Sequence, residues 1–191
     1  MKDLYNREID YLRISVTDLC NLRCKYCMPE CGVKKLSHDD IMNIDEIEEF
    51  VKLAARLGIK KVRLTGGEPL VRKGIIEICH RISSIQGIEE LCMTTNGLLL
   101  EKYAHDLKLA GVKRLNVSID TLQDEKYKNI TRCNQFDQPV KKIFDGIDKL
   151  RSEGFKNIKI NVVLQGGVND DEIEDFINLT QDNDFEVLFG E

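Results

Sequence analysis

The 191-residue sequence predicts an α/β fold of parallel strands. Two observations predict it. Short apolar runs alternate with amphipathic stretches of helical period, and strict alternation of this kind gives parallel strands joined by right-handed crossovers. Several of the runs, such as INVVL at 160–164, are almost continuously apolar, which is the pattern of strands buried on both faces.

The first strand is YLRISV, residues 11–16, and a cysteine-rich loop follows it. Asn43 with Glu46 three residues on forms a capping box. Ile47, Phe50, Val51, Ala54 and Leu57 then recur at helical spacing as far as Gly58, a residue type that closes helices. KKVRLT, 60–65, reads as the second strand and stops at Gly66-Gly67. A second helix over 73–84 precedes the third strand, ELCMTT, at 90–95. A third helix over 101–110 ends at Gly111, before the fourth strand, RLNVSI, at 114–119. A fourth helix over 139–153 ends at Gly154, before the fifth strand, NIKINVVL, at 157–164. A fifth helix, capped by Asn169 or Asp170, leads to the sixth strand, FEVLF, at 185–189.

Two architectures share this grammar: an open doubly wound sheet and a complete or partial barrel. Periodicity does not separate them. Both put the functional site at the carboxyl ends of the strands. The cysteine loop after the first strand, GGEP after the second, TTNG after the third and SID after the fourth are therefore expected to crowd one rim.

At 42% hydrophobic and 32% charged residues the composition is that of a soluble globular protein, and the length suits one domain, residues 1–191. The N-terminus, MKDLYNREID, has no apolar core and does not read as a secretory signal. No apolar run approaches the ~18–20 residues of a membrane span, so a cytoplasmic protein without a membrane partner is expected. In that compartment thiols stay reduced, and clustered cysteines read as metal ligands before disulfides. A net charge of −5 offers no basic face for phosphate backbones, which argues against nucleic-acid binding. The pairs Lys34-Lys35, Lys60-Lys61 and Lys141-Lys142 read as solvated faces.

Four of the seven cysteines, Cys20, Cys24, Cys27 and Cys31, fall within SVTDLCNLRCKYCMPECG at 15–32. Cys79, Cys92 and Cys133 read as small buried hydrophobes. Four clustered thiolates suit a structural zinc, but such sites come as two close pairs with a longer spacer. A ferredoxin-type run is C-x2-C-x2-C-x3-C followed by Pro. Here the order is C-x3-C-x2-C-x3-C followed by Gly, which matches neither. The remaining option uses Cys20, Cys24 and Cys27 alone. Three thiolates on a 4Fe–4S cube leave one iron open to a chelating substrate, with Cys31 a bystander.

CNLRCKYC resembles the cluster loop of radical S-adenosylmethionine (SAM) enzymes, and GGEP, 66–69, resembles their SAM-binding turn. The resemblance implies a partial (β/α)6 barrel of parallel strands. The blocks LRISVTDLCNLRCKYCMPE, VRLTGGEPLVR, TTNGLLL, RLNVSIDTL, ITR and KINVVLQGGVND are, in that order, similar to the GTP 3′,8-cyclase family of molybdenum-cofactor biosynthesis. By that resemblance Cys20, Cys24 and Cys27 hold a 4Fe–4S cluster. Tyr26, Gly67, Glu68 and Ser118 contact SAM, and Arg13, Arg63, Thr94 and Lys159 face GTP. A 5′-deoxyadenosyl radical takes hydrogen from C3′ of GTP, and the C3′ radical closes onto C8. An electron donor such as flavodoxin or ferredoxin is implied, and a homodimer is among the assemblies allowed. The family also has a C-terminal extension with a second cysteine triad, so residues 1–191 are expected to be the radical SAM core of a longer enzyme. Two other readings stay open: a radical SAM enzyme acting on peptide or activating a glycyl-radical enzyme, and a non-catalytic iron–sulfur or zinc module. Arg13, Arg63 and Lys159 lie on strands expected to be buried on both faces. An unpaired charge there costs several kcal/mol, and a triphosphate is the partner expected to offset it.

Overall fold

The computed structural model describes residues 2–33, 40–156, 158–182 and 185–190. Six strands form one sheet: β1 (Tyr11–Ser15), β2 (Lys61–Thr65), β3 (Glu90–Thr95), β4 (Arg114–Ser118), β5 (Ile158–Val163) and β6 (Phe185–Gly190). All neighbours pair in parallel, and their spatial order is their sequence order. That order separates the two architectures. A doubly wound sheet reverses direction at a switch point and receives helices on both faces. A sheet that never reverses, wound with crossovers of one hand, receives all its helices on one face and curls away from them. The result is a partial barrel with free edges at β1 and β6.

The helices are α1 (Ile44–Arg56), α2 (Ile75–Ser83), α3 (Leu100–Leu109), α4 (Asp124–Thr131), α5 (Pro139–Ser152) and α6 (Ile173–Asp182). The expected capping box is present: Glu46 N–H donates to Asn43 Oδ1 at 3.0 Å, and Asn43 N–H donates to Glu46 Oε2 at 2.7 Å. α1 turns Ile47, Val51 and Ala54 inward. They join Val62, Leu64, Leu91, Met93, Leu115, Val117, Ile158 and Ile160 from the strands in one core, each large side chain contributing about 1.5–3 kcal/mol by leaving water. Asn169 and Asp170 open on a 3-10 turn, Asp170–Glu172, before α6 begins. The expected start of the fifth strand at Asn157 and the pair Lys34-Lys35 lie outside the described residues.

Two expectations need correction. β2 and β5 are not buried on both faces, whereas the central β3 and β4 are, with Leu91, Cys92, Met93 and Leu115, Asn116, Val117 consecutively buried. On β2, Val62 and Leu64 are fully buried while Arg63 and Thr65 are only half so, and β5 alternates in the same way. With the helices all on the convex side, the concave face is left to polar residues. Cys92, though buried, belongs to that concave face: it sits in register between Arg63 and Arg114, and its thiol is 3.0 Å from Glu90 Oε1. One helix, α4, is not expected from the sequence. It is short and polar and buries only Tyr127, Ile130 and Thr131, too few to register as a helical apolar period.

Candidate functional site

The four strand-end segments do meet at one rim. The cysteine loop leaves β1 and is at once tied to the turn after β2: Gly67 N–H donates to Thr17 O and Glu68 N–H to Leu19 O, both at 2.8 Å. The two chains run so close that a Cβ on Gly67 would stand 2.3 Å from Leu19 O, and one on Gly66 2.6 Å from Thr17 O. Both glycines are therefore required by backbone proximity. Gly67 was expected to contact SAM through its backbone; its N–H is used inside the protein.

Glu68 was expected at the methionine ammonium of SAM. It is 1% exposed, and its carboxylate accepts from Leu70 N–H (3.0 Å), Thr95 Oγ1 (2.7 Å) and Asn96 N–H (2.7 Å). The geometry supports the plainer role of a buried turn carboxylate that joins the ends of β2 and β3. Asn96 extends the tie to the cysteine loop, donating from Nδ2 to Asn21 Oδ1 at 2.7 Å. Burial is the main influence on Glu68 and raises its carboxyl above the ordinary range. The folded protein then holds a proton that the unfolded chain has released. This contribution to stability is present at low pH and is lost as pH rises through the raised value. Glu68→Gln should flatten that decline, read as the wild-type minus variant difference in urea denaturation from about pH 4.5 to 8. It should also cost about 1–3 kcal/mol at the top of the range, because the amide nitrogen then faces a donor. A difference independent of pH would show that Glu68 does not titrate in this window.

Within the loop, Cys27 and Met28 N–H groups both donate to Cys24 O, at 3.0 and 3.1 Å, forming a turn that folds Cys27 back over Cys24. Leu22 N–H is directed at Cys20 Sγ, 3.3 Å away. Cys20 and Cys24 are half-buried and Cys27 is exposed. Burial pushes the Cys24 thiol up to about 12, and the Asp120, Cys20 and Cys27 charges add to it. Cys20 is raised by burial too, with Glu68 and Cys27 adding. The three sulfurs thus lie within electrostatic reach of one another. Cys31 does not enter this set. It is exposed, within the turn that Gly32 N–H closes onto Pro29 O, and its thiol contacts Gly32 O at 3.6 Å. Among the described residues no three His, Cys, Asp or Glu side chains are grouped to hold a single metal ion. Three thiols on one loop, with an N–H already aimed at one sulfur, have the donor chemistry of an iron–sulfur cluster.

The unexpected helix α4 holds this loop from outside. Arg23 N–H and Lys25 N–H, on either side of Cys24, donate to Thr131 O at 3.0 Å and Ile130 O at 2.9 Å. Arg132, in a left-handed conformation at the helix end, donates to Arg23 O and Met28 O at 3.1 and 3.3 Å. The ITR block is therefore a clamp on the cysteine loop. On the other side Tyr26 Oη donates to Asp120 Oδ2 at 2.6 Å, and Val163 N–H donates to Asp120 Oδ1 at 2.9 Å. Tyr26 and Ser118 share a cleft of about 220 Å³ with Asn161 and Val163. Asp120 and Asn161 are not among the residues expected from sequence. The polar alternation along RLNVSID and NIKINVV is the signal that marks them.

Below the rim, the concave face carries the four residues expected to meet GTP. Arg13 and Arg63 are register partners, and Thr94, Asn116 and Lys159 form the next row. Arg13 is exposed. Arg63 donates to Tyr11 Oη at 2.5 Å and to Thr94 Oγ1 at 3.2 Å. Lys159 forms an ion pair with Glu186 across β5 and β6. Arg63 and Lys159 thus have partners within the protein, contrary to the expectation that buried cations stand uncompensated. The reason is the open face: these side chains sit in a polar, partly wet concavity.

The sequence profile of the Radical SAM superfamily matches residues 14–180. Among curated proteins, the chain is 53% identical over 191 residues to a GTP 3′,8-cyclase of Alkaliphilus metalliredigens and 48% identical over 192 residues to one of Thermodesulfovibrio yellowstonii. Each alignment covers 100% of this chain and 58% of the relative, so the chain spans little more than half the length of the curated relatives it matches. Among solved structures, anSMEcpe with bound AdoMet superposes with a TM-score of 0.71 at 16% identity, over 94% of this chain and 50% of that one. Streptococcus suis SuiB bound to S-adenosylmethionine gives 0.67 at 20% identity, over 95% and 39%. At these identities the structural likeness is one of fold.

Proposed function

Because the chain belongs to the radical SAM superfamily, we propose that it is the radical-generating core of a GTP 3′,8-cyclase, acting in the first step of molybdenum-cofactor biosynthesis. The observation that carries the reading is a single juxtaposition. A rim loop carrying Cys20, Cys24 and Cys27 overlooks a concave face bearing Arg13, Arg63 and Lys159. The 53% identity to a protein of that name supports it.

When bound, a reduced 4Fe–4S cluster and SAM supply a 5′-deoxyadenosyl radical able to remove hydrogen from an unactivated ribose carbon. Everything else falls to the chain. Cys20, Cys24 and Cys27 hold the cluster, and Asn21, Asn96, Glu68 and the α4 clamp keep the loop in place. Tyr26, anchored on Asp120, and Ser118 border the cleft where SAM sits. Arg13, Arg63 and Lys159 receive the triphosphate, with Thr94 beside Arg63. Holding the ribose at the radical carbon matters because a ~1 Å misplacement can cost ~10²-fold in rate.

Anaerobic turnover with dithionite, SAM and GTP tests the reading, analysed for 5′-deoxyadenosine and cyclised nucleotide. Peptide substrates give no product on this reading. Binding separates the phosphate contacts. Arg63→Ala should weaken GTP about ten- to hundredfold, since a charge-assisted contact contributes ~1.5–3 kcal/mol. Glu186→Gln should tighten GTP, because it frees Lys159 from a competing carboxylate. Unchanged calorimetric affinity in both variants would remove GTP from this face.

A further inference from the structure

Tyr127 carries a hydroxyl that the fold buries without a partner. The residue is 2% exposed, and its Oη makes no hydrogen bond among the described residues. An unsatisfied buried hydroxyl costs about 1–3 kcal/mol, and a phenylalanine of the same shape would avoid it.

The surroundings indicate what the donor serves. Tyr127 lies one turn before the α4 carbonyls that grip the cysteine loop on both sides of Cys24. Its ring belongs to the core against which Cys20 and Cys24 pack, together with Cys133. Burial is the main influence raising its hydroxyl, and the neighbours that add to it are Cys24 first, then Cys133, Asp120 and Cys20. Asp120 already accepts from Tyr26 and Val163, one on each oxygen. Its carboxylate thus has two donors of its own, while the other neighbours, Cys24, Cys133 and Cys20, present sulfur as an acceptor, Cys24 foremost.

We propose that the Tyr127 hydroxyl is a hydrogen-bond donor to the iron–sulfur cluster at or beside the Cys24 thiolate, and that it raises the cluster's reduction potential. The proposal rests on the reading of Cys20, Cys24 and Cys27 as cluster ligands. A donor aimed at cluster sulfur stabilises the extra negative charge of the reduced form, and such contacts are among the levers that set cluster potentials. α4 would thereby tune the loop that it also holds.

The test is Tyr127→Phe in the full chain, reconstituted anaerobically with iron and sulfide. The midpoint potential is read by EPR-monitored redox titration. The variant should be about tenfold harder to reduce, a shift of ~59 mV to the negative for a one-electron couple. The metal-free variant should unfold at the same temperature as wild type or higher, because the lost hydroxyl had no partner to lose. A side chain that merely packs would do neither. If wild type and variant load equally and share one potential, the proposal fails while the cluster reading stands. If wild type takes up no iron or sulfide, the cluster reading fails and this proposal with it.

Discussion

Replacing Cys20, Cys24 or Cys27 by Ala should abolish the iron–sulfur cluster, while Cys31→Ala should leave it intact. The first three cysteines share one loop whose backbone is fixed by local structure: the turn over Cys24 O, the N–H aimed at Cys20, and the α4 clamp around Cys24. Losing one ligand from a three-thiolate cube exposes a second iron to water and oxidants. Cys31 lies within the separate Pro29–Gly32 turn and shares none of those contacts. Cys79 and Cys133 are buried core side chains, and their Ala variants should load normally. Iron and sulfide analysis after anaerobic reconstitution, with the visible and EPR spectra, gives the answer. Full retention in Cys24→Ala would sink the ligand assignment. Loss in Cys31→Ala would instead favour a four-thiolate site.

Gly67→Ala should unfold the rim without touching any ligand. The added methyl would meet Leu19 O at 2.3 Å and Leu19 C at 2.6 Å, and both are backbone atoms that cannot rotate aside. Relief requires the turn and the cysteine loop to part, breaking the Gly67–Thr17 and Glu68–Leu19 bonds. Two such bonds contribute about 1 kcal/mol each, and residual overpacking adds ~1–3 kcal/mol. A loss of about 3 kcal/mol lowers the melting temperature by ~6–12 °C in a chain of this size. Iron uptake should fall with it, since the entry to the cysteine loop is displaced. A variant that melts with wild type would show that this approach is looser than the distances indicate.

Much of the architecture was legible in the chain because its signals are local. Asn43 and Glu46 mark a helix start through bonds three residues apart. Gly58, Gly111 and Gly154 mark helix ends because each adopts a left-handed conformation that a side chain would oppose. Strand boundaries agree with the sequence reading to within a residue or two for the same reason. The short α4 escaped because its stability comes from the loop it grips, through bonds spanning more than a hundred residues.

By itself the sequence determined six strands with five helices between them, the spacing of Cys20, Cys24 and Cys27, and the four segments that meet at the rim. These follow from periodicity and from the rule that parallel strands end together. Only the tertiary structure decided the rest. Strand order, which no local pattern encodes, put every helix on one face and left Arg13, Arg63 and Lys159 on a polar concavity. Long-range contacts gave Glu68 to Thr95 and Asn96, and Tyr26 to Asp120. A residue type at a turn shows that a carboxylate is present; which donors reach it depends on how distant strands are laid side by side.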